Sequence, residues 1–158
     1  MGGDILQIQL SQKERMLLED GKKQEDLCVQ KYQGYADQVQ DEQLKNLLLE
    51  IAQEEQHHYD MIDQMLQGME PNMTHGGGTT TPQNNNIFQE SSSNTNDQML
   101  LEDLLATEKY VSGFYDTAVF EAAEPKVRQA IQHIQTEEQN HGEKLFNYMN
   151  SHGMYDVK

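Results

Sequence analysis

The chain is short of everything that would tie it down covalently or interrupt it. It has one cysteine, Cys28, in 158 residues, so an internal disulfide framework is excluded. It has three prolines: Pro71 and Pro82 lie in or beside a polar central stretch, and Pro125 reads as the start of a helix. The long proline-free segments between them are rich in Gln, Glu and Leu, which favours an all-α protein. No apolar run approaches the ~20 residues that a bilayer-spanning helix needs. Met1 to Leu10 lacks the basic-then-apolar order of a secretory leader, so a soluble protein made in the cytoplasm is expected. Positive charge is scarce, with 11 Lys and Arg against 27 Asp and Glu, a net charge of -16 and a pI near 4.5. Such a surface repels nucleic acid and anionic membranes but suits metal cations. The length fits a single domain, residues 1–158, large enough to bury a core.

What the chain does have is a doubled pattern. Glu54-Glu55-Gln56-His57-His58 returns as Glu137-Glu138-Gln139-Asn140-His141. Shifted by 83 positions, residues 16–65 lie over 99–148 without a gap and with twelve identities in fifty positions. Met16-Leu17-Leu18-Glu19-Asp20 falls on Met99-Leu100-Leu101-Glu102-Asp103, Glu25 on Glu108, Tyr32 on Tyr115 and Ile51 on Ile134. Two copies of about fifty residues are too few for a solenoid. They read as two helical hairpins of one four-helix bundle.

The order along the chain supports this. Met1 to Leu10 is weakly patterned and reads as a loose lead-in. Ser11 and Glu14 form a capping box ahead of a first helix to about Gln38. Its inner stripe is Leu18, Gly21, Glu25, Cys28, Tyr32, Tyr35 and Val39. Asp41 caps a second helix to about Leu66, with a stripe of Leu44, Leu48, Ile51, Glu55, His58, Ile62 and Met65. Hairpin 1 thus spans about 11–66. Residues 67–96 are Gly, Thr, Asn and Ser rich and offer little to bury, so a flexible crossover is expected there. Hairpin 2 follows over about 97–152. Its third helix starts near Asp97, capped by Asn96 or Asp97, with Leu101, Leu104, Glu108, Val111, Tyr115, Ala118 and Ala122 inside. Its fourth opens at Glu124-Pro125, with Val127, Ile131, Ile134, Glu138, His141, Leu145 and Tyr148 inside and Gly153 as the C-terminal cap. Met154-Tyr155 is expected to fold back on the bundle. A long second connection between two tight hairpins is the ferritin-like arrangement.

Each stripe is interrupted by acids or histidines at mid-height. Glu55 to His58 and Glu138 to His141 are i, i+3 steps, which put both side chains of a pair on one helix face. Each pair has a partner thirty residues upstream, Glu25 or Glu108. Four carboxylates facing a core cost several kcal/mol each unless compensated, and they repel one another. Two divalent cations resolve both problems. A Glu from each of two helices plus a Glu-x-x-His from each of the others is the ligand set of dinuclear carboxylate bundles. The expected metal ligands are therefore Glu25, Glu55, His58, Glu108, Glu138 and His141, and the expected cofactor is two divalent ions. Iron or manganese suits mixed oxygen and nitrogen ligands, with zinc as the alternative. Tyr32 and Tyr115, seven residues after their glutamates, can donate to a ligand carboxylate or join redox chemistry.

Plainer readings stand beside these. A lone Glu-x-x-His is usually a solvated face, and the competing account of the doubled one is a vestigial site whose acids bond to each other and to the tyrosines. His57, Glu54 and Glu137 fall beside the stripes and read as surface residues. His75 and His133 read as solvent-facing, and His152 belongs to no motif. Tyr35, Tyr148 and Cys28 read as core packing.

The second half resembles the spore coat protein F family of endospore-forming bacteria. The residues that carry the likeness are Asp103-Leu104-Leu105, Lys109, Tyr115, Glu124-Pro125-Lys126-Val127-Arg128, His141 and the Tyr148-Met149 to Gly153 to Tyr155 ending. The first half resembles a diverged copy of the same hairpin. The layout is also similar to the ferritin-like superfamily, rubrerythrins included. Both likenesses imply a four-helix bundle. The rubrerythrin side implies a dinuclear centre reacting with peroxide or oxygen, although this chain has no Cys-x-x-Cys. The coat side implies a structural protein of the spore coat, with other coat proteins or further copies of itself as partners, and no nucleic acid or membrane. Two functions are therefore open: a dimetal oxidoreductase of the sporulating cell, and a structural coat component in which any metal only stabilises the bundle. A metal-free binding module is a third.

Overall fold

The computed structural model describes residues 8–74 and 95–155, which form four helices: α1 (Gln12–Gln38), α2 (Glu42–Leu66), α3 (Thr95–Glu121) and α4 (Pro125–Ser151). No strand occurs among the described residues. Three starts follow from local chemistry. The Ser11 side chain accepts from the Glu14 N–H and Glu14 accepts from the Ser11 N–H, a closed capping box. Asp41 caps Gln43, and Glu124 caps Lys126 with Pro125 in the first turn. Helix α2 ends where Gly68 takes φ +84° and the Met69 N–H reaches back to the Gln64 carbonyl; α4 ends the same way, with Gly153 at φ +70° and Met154 bonding to the Met149 carbonyl.

α1 pairs with α2, α3 with α4, and the hairpins meet through α1 against α3 and α2 against α4. Both contacts are antiparallel: Tyr35 bonds Asp103 while Glu14 reaches Ala123, and Glu50 meets Lys144 while His58 meets Glu137. Helices α2 and α3 therefore run in the same direction. The end of α2 lies beside the start of α1, where Arg15 bonds the Leu66 carbonyl, and the start of α3 lies at the opposite end of the bundle, where Asp97 accepts the Gln40 N–H. The segment joining them must traverse a bundle about 40 Å long at 1.5 Å per residue. This is the expected crossover connectivity; residues 75–94, and His75 with them, lie outside the described residues, as does the lead-in before Ile8.

Three boundaries differ from expectation. α3 begins at Thr95, so neither Asn96 nor Asp97 precedes it; Asp97 is buried and receives a backbone N–H from the α1–α2 turn instead. The segment after α2 is fixed at its start: Gly68 accepts from the Ile8 N–H, Pro71 is buried and Met73 packs on the core. Ile8 itself, expected in a loose lead-in, is a core residue.

The core comes in two parts. One cluster, from Ile8 and Leu18 to Met61, Met65, Val127 and Ile131, fills the end with the α3–α4 turn. The other, from Ala36 and Leu44 to Leu101, Leu145, Met149 and the folded-back Met154, fills the end with the α1–α2 turn. Between them lie the charged side chains of the candidate site.

Candidate metal centre

At mid-height the stripes of all four helices turn polar, and their polar members converge. Glu25, Glu55, His58, Glu108, Glu138 and His141 are all buried, none more than 3% exposed. They form two overlapping groups, Glu25–Glu55–His58–Glu138 and Glu55–Glu108–Glu138–His141, in each of which one ligand-type atom per residue lies within 4.8 Å of the others. Glu55 and Glu138 belong to both groups, so each hairpin supplies one shared carboxylate, one unshared carboxylate and one imidazole. The rings of His58 and His141 stack with centroids 5.9 Å apart. All six residues expected at the site are brought together.

The hydrogen bonds divide each carboxylate into a tied oxygen and an untied one. Tyr115 donates to Glu25 Oε2 and Tyr32 to Glu108 Oε2, both at 2.5 Å and each across the α1–α3 contact. Glu55 Oε1 is 3.0 Å from His58 Nδ1, and Glu138 Oε1 is 3.1 Å from His141 Nδ1. The second oxygens, Glu25 Oε1, Glu55 Oε2, Glu108 Oε1 and Glu138 Oε2, are buried and make no hydrogen bond. An unsatisfied buried acceptor costs about 1–3 kcal/mol, and more if charged. Four of them, distributed over the two overlapping groups, are what a site for divalent cations would show. The donor set is oxygen and imidazole nitrogen without thiolate, and four carboxylates balance two M²⁺.

Both histidines direct Nδ1 into this cluster. Nε2 of His58 is 2.6 Å from Glu137 Oε1, and Nε2 of His141 is 2.6 Å from Glu54 Oε1, so each bond crosses from one hairpin to the other. With the proton on Nε2 donated to a carboxylate, Nδ1 keeps a lone pair for a metal. Glu54 and Glu137 were expected at the surface. They stand at its edge, their side chains 29% and 15% exposed, and serve the buried histidines. His133, expected in solvent, is half-buried with Nε2 3.3 Å from Glu137 Oε2. His57 is half-buried and bonds the Asn72 carbonyl. The signal for Glu54 and Glu137 was the repeat itself, since they are 83 residues apart and both precede a Glu-x-x-His.

Cys28 is buried but belongs to neither group, and burial pushes its thiol far above the usual range, as a core residue should show. Tyr148 donates to Asp41, and its ring stacks on His152 at 3.9 Å, closing the end of α4.

Residues 96–158 match the family model of the Coat F domain. The match covers α3, α4 and the C-terminal residues, and leaves the first hairpin outside it. The whole fold is similar to that of wild-type KatB, a manganese catalase from Anabaena, at a TM-score of 0.67 and 17% sequence identity, covering 100% of this chain and 84% of that one. The architecture is thus a ferritin-like bundle. A search of curated proteins finds no match to the chain. The matched residues include Glu108, Glu138 and His141; Glu25, Glu55 and His58 come from the first hairpin, outside the match.

Without metal the cluster holds protons. Burial, then the charge of Glu55, raises Glu25 to about 7. Burial, then the charges of Glu55, Glu25 and Glu108, raises Glu138 well above the usual carboxylate range. Burial also opposes the charged form of Glu55, but the imidazoles of His141 and His58, with Nδ1 at 3.6 and 3.0 Å from its oxygens, outweigh it and hold that carboxyl well below its usual value. The same acids prevail over burial at both imidazoles and keep them protonated well above the ordinary histidine range. Burial first, then the neighbouring glutamates, drives the Tyr32 and Tyr115 hydroxyls up, so both remain donors. Metal binding must expel protons from this cluster.

Proposed function

We propose that the protein is a dinuclear metalloprotein of the spore coat whose centre, iron or manganese, reacts with hydrogen peroxide. The observation that carries this reading is the set of four untied carboxylate oxygens, one from each helix, around which two imidazole nitrogens converge. Glu55 and Glu138, present in both groups, would bridge the ions. Glu25 with His58 would hold one and Glu108 with His141 the other.

When bound, a pair of such ions supplies one-electron steps between M²⁺ and M³⁺. The chain's own residues do the rest. Tyr32 and Tyr115 fix the unshared carboxylates by one oxygen each. Glu54 and Glu137 hold the imidazoles in the tautomer that leaves Nδ1 free. The apolar clusters on either side exclude bulk water. Disproportionation of peroxide, in which two molecules give two waters and one dioxygen, needs no external reductant. That suits a chain with a single, buried cysteine. The fold likeness to a manganese catalase supports the same reaction.

The test is oxygen evolution from peroxide by protein loaded anaerobically with Mn²⁺ or Fe²⁺. Activity in wild type that is lost in Glu138→Ala is expected. A fully loaded protein with no peroxide consumption would refute the reaction.

A second reading has its own observation, the Coat F match over residues 96–158. On it the protein is a building element of the coat, with metal only stabilising the bundle. Exposed Tyr110 and Phe120, 71% and 83% accessible, would then contact other coat proteins or further copies of the chain. Loaded and metal-free protein incorporated equally into coats, with no turnover, would favour it.

A further inference from the structure

The two hairpins match at the ligands but not around them. A groove of ≈ 430 Å³ runs between α3 and α4, and its lining includes two of the buried carboxylates, Glu108 and Glu138, together with Leu105, Ser112, Gly113 and Gly142. We propose that small molecules reach the metal pair through this groove, and that the α1–α2 face is closed by Tyr59. The inference rests on the metal reading above.

Positions 83 residues apart show what differs. Gly142 corresponds to Tyr59, Ser112 to Val29, Gly113 to Gln30 and Leu105 to Lys22. The same pair of positions is in contact in both hairpins. A Cβ at Gly142 would lie 3.9 Å from Leu105 Cδ1, and in the first hairpin Lys22 Nζ sits 5.3 Å from the Tyr59 ring centre. Lys22 is held there by Asp63 at 2.9 Å. Where the first hairpin has a phenol strapped down by a lysine, the second has a hydrogen atom. Val29, at the position matching Ser112, is buried.

The glycines are not required by packing. A Cβ at Gly113 meets nothing within 4 Å, and at Gly142 nothing closer than Leu105. A mid-helix glycine is unfavourable relative to alanine, so two of them in open space have a reason other than packing. By contrast Gly21, on α1, is closely packed: a Cβ there would lie 3.3 Å from Phe114 Cε2. The groove glycines leave space instead. Lys109 and Asp116, also on the lining, carry opposite charges, so the mouth favours neither sign. Small walls, one lining charge of each sign at Lys109 and Asp116, and two buried glutamates at the base suit a small molecule of the size of hydrogen peroxide.

The experiment loads the protein with Co²⁺, mixes it with azide and follows the Co²⁺ visible absorption. Wild type, Gly142→Tyr, Gly113→Leu and Tyr59→Gly are compared. Gly142→Tyr copies the residue that the first hairpin already accommodates at the matching place. Azide association is expected to slow about tenfold or more in both plugged variants, because the groove must then open to admit it. Co²⁺ stoichiometry and the azide-free spectrum stay unchanged. Tyr59→Gly is expected to accelerate association by opening a second path, which tests the proposal independently should a plugged variant fold poorly. Equal rates in all four proteins, with Co²⁺ bound, overturn the groove assignment and leave the metal pair standing. Failure of wild type to bind Co²⁺ overturns the metal reading and the groove assignment with it.

Discussion

His58 on α2 meets Glu137 on α4 through Nε2 at 2.6 Å, and His141 on α4 meets Glu54 on α2 at the same distance. Each hairpin therefore orients the imidazole of the other. Glu54→Ala or Glu137→Ala should leave the six central side chains in place yet lower metal affinity about 10–100-fold, the usual effect of removing such a partner. Competition with a chelator of known affinity measures it.

Tyr32 and Tyr115 tie the hairpins together in the same reciprocal way, through Glu108 and Glu25. Replacing either by Phe removes one donor and leaves a buried carboxyl oxygen bare. The metal-free protein should lose about 1–3 kcal/mol per substitution in denaturant unfolding. An unchanged midpoint would mean that the glutamate finds another donor.

Stability should depend on pH with opposite signs in the metal-free and loaded protein. Glu25 and Glu138 have folded values raised above the unfolded one, and so do His58 and His141. A raised folded value contributes stability that is complete below the unfolded value and is lost as pH climbs through the folded one. For Glu25 the window runs from 4.5 to about 7 and corresponds to about 3 kcal/mol. The histidines extend it upward from 6.5. Glu55, whose value is lowered, acts oppositely but only below 4.5. Metal-free protein should thus melt at lower temperature as pH rises from about 5 to 8. Loaded protein should gain, because the same protons compete with the metal. Calorimetry with and without chelator distinguishes the two slopes.

Glu14 joins α1 to the distant α3–α4 turn. Besides closing the capping box, its carboxylate accepts the Ala123 and Glu124 N–H groups, both at 2.7 Å. Burial opposes its charge, but the backbone donors of Glu124, Ser11 and Ala123 hold its value below the ordinary one. Glu14→Ala should destabilise the fold by about 2–4 kcal/mol, a lost cap plus orphaned backbone donors, without changing metal stoichiometry. Chemical denaturation and metal analysis of the same sample check both halves.

The helices and the six central side chains were legible because both rest on periodicity. Glu55 and His58 share a face through a three-residue step, and an acid on an apolar stripe stands out wherever it occurs. The role of Glu54 and Glu137 depends on which helices become neighbours across the bundle, which no local pattern states. Asp97 was read as a helix cap for a related reason. It lies 83 residues after Glu14 and reaches the α1–α2 turn as Glu14 reaches the α3–α4 turn, a relation visible only once the hairpins are packed. The tyrosines were placed correctly on their faces, but their crossed pairing, Tyr32 to Glu108 and Tyr115 to Glu25, follows from α1 and α3 running antiparallel.

The central claim is that the four untied oxygens and two imidazoles hold a pair of metal ions. Metal content of the purified protein by plasma mass spectrometry, beside the Glu55→Ala/Glu138→Ala double variant, tests it most directly. About two equivalents of iron, manganese or zinc per chain in wild type, lost in the variant, is the expected result for two sites sharing both bridging carboxylates. Well under one equivalent, unchanged by the substitutions and not restored by anaerobic Fe²⁺ or Mn²⁺, would contradict it and leave the coat's structural element as the better account.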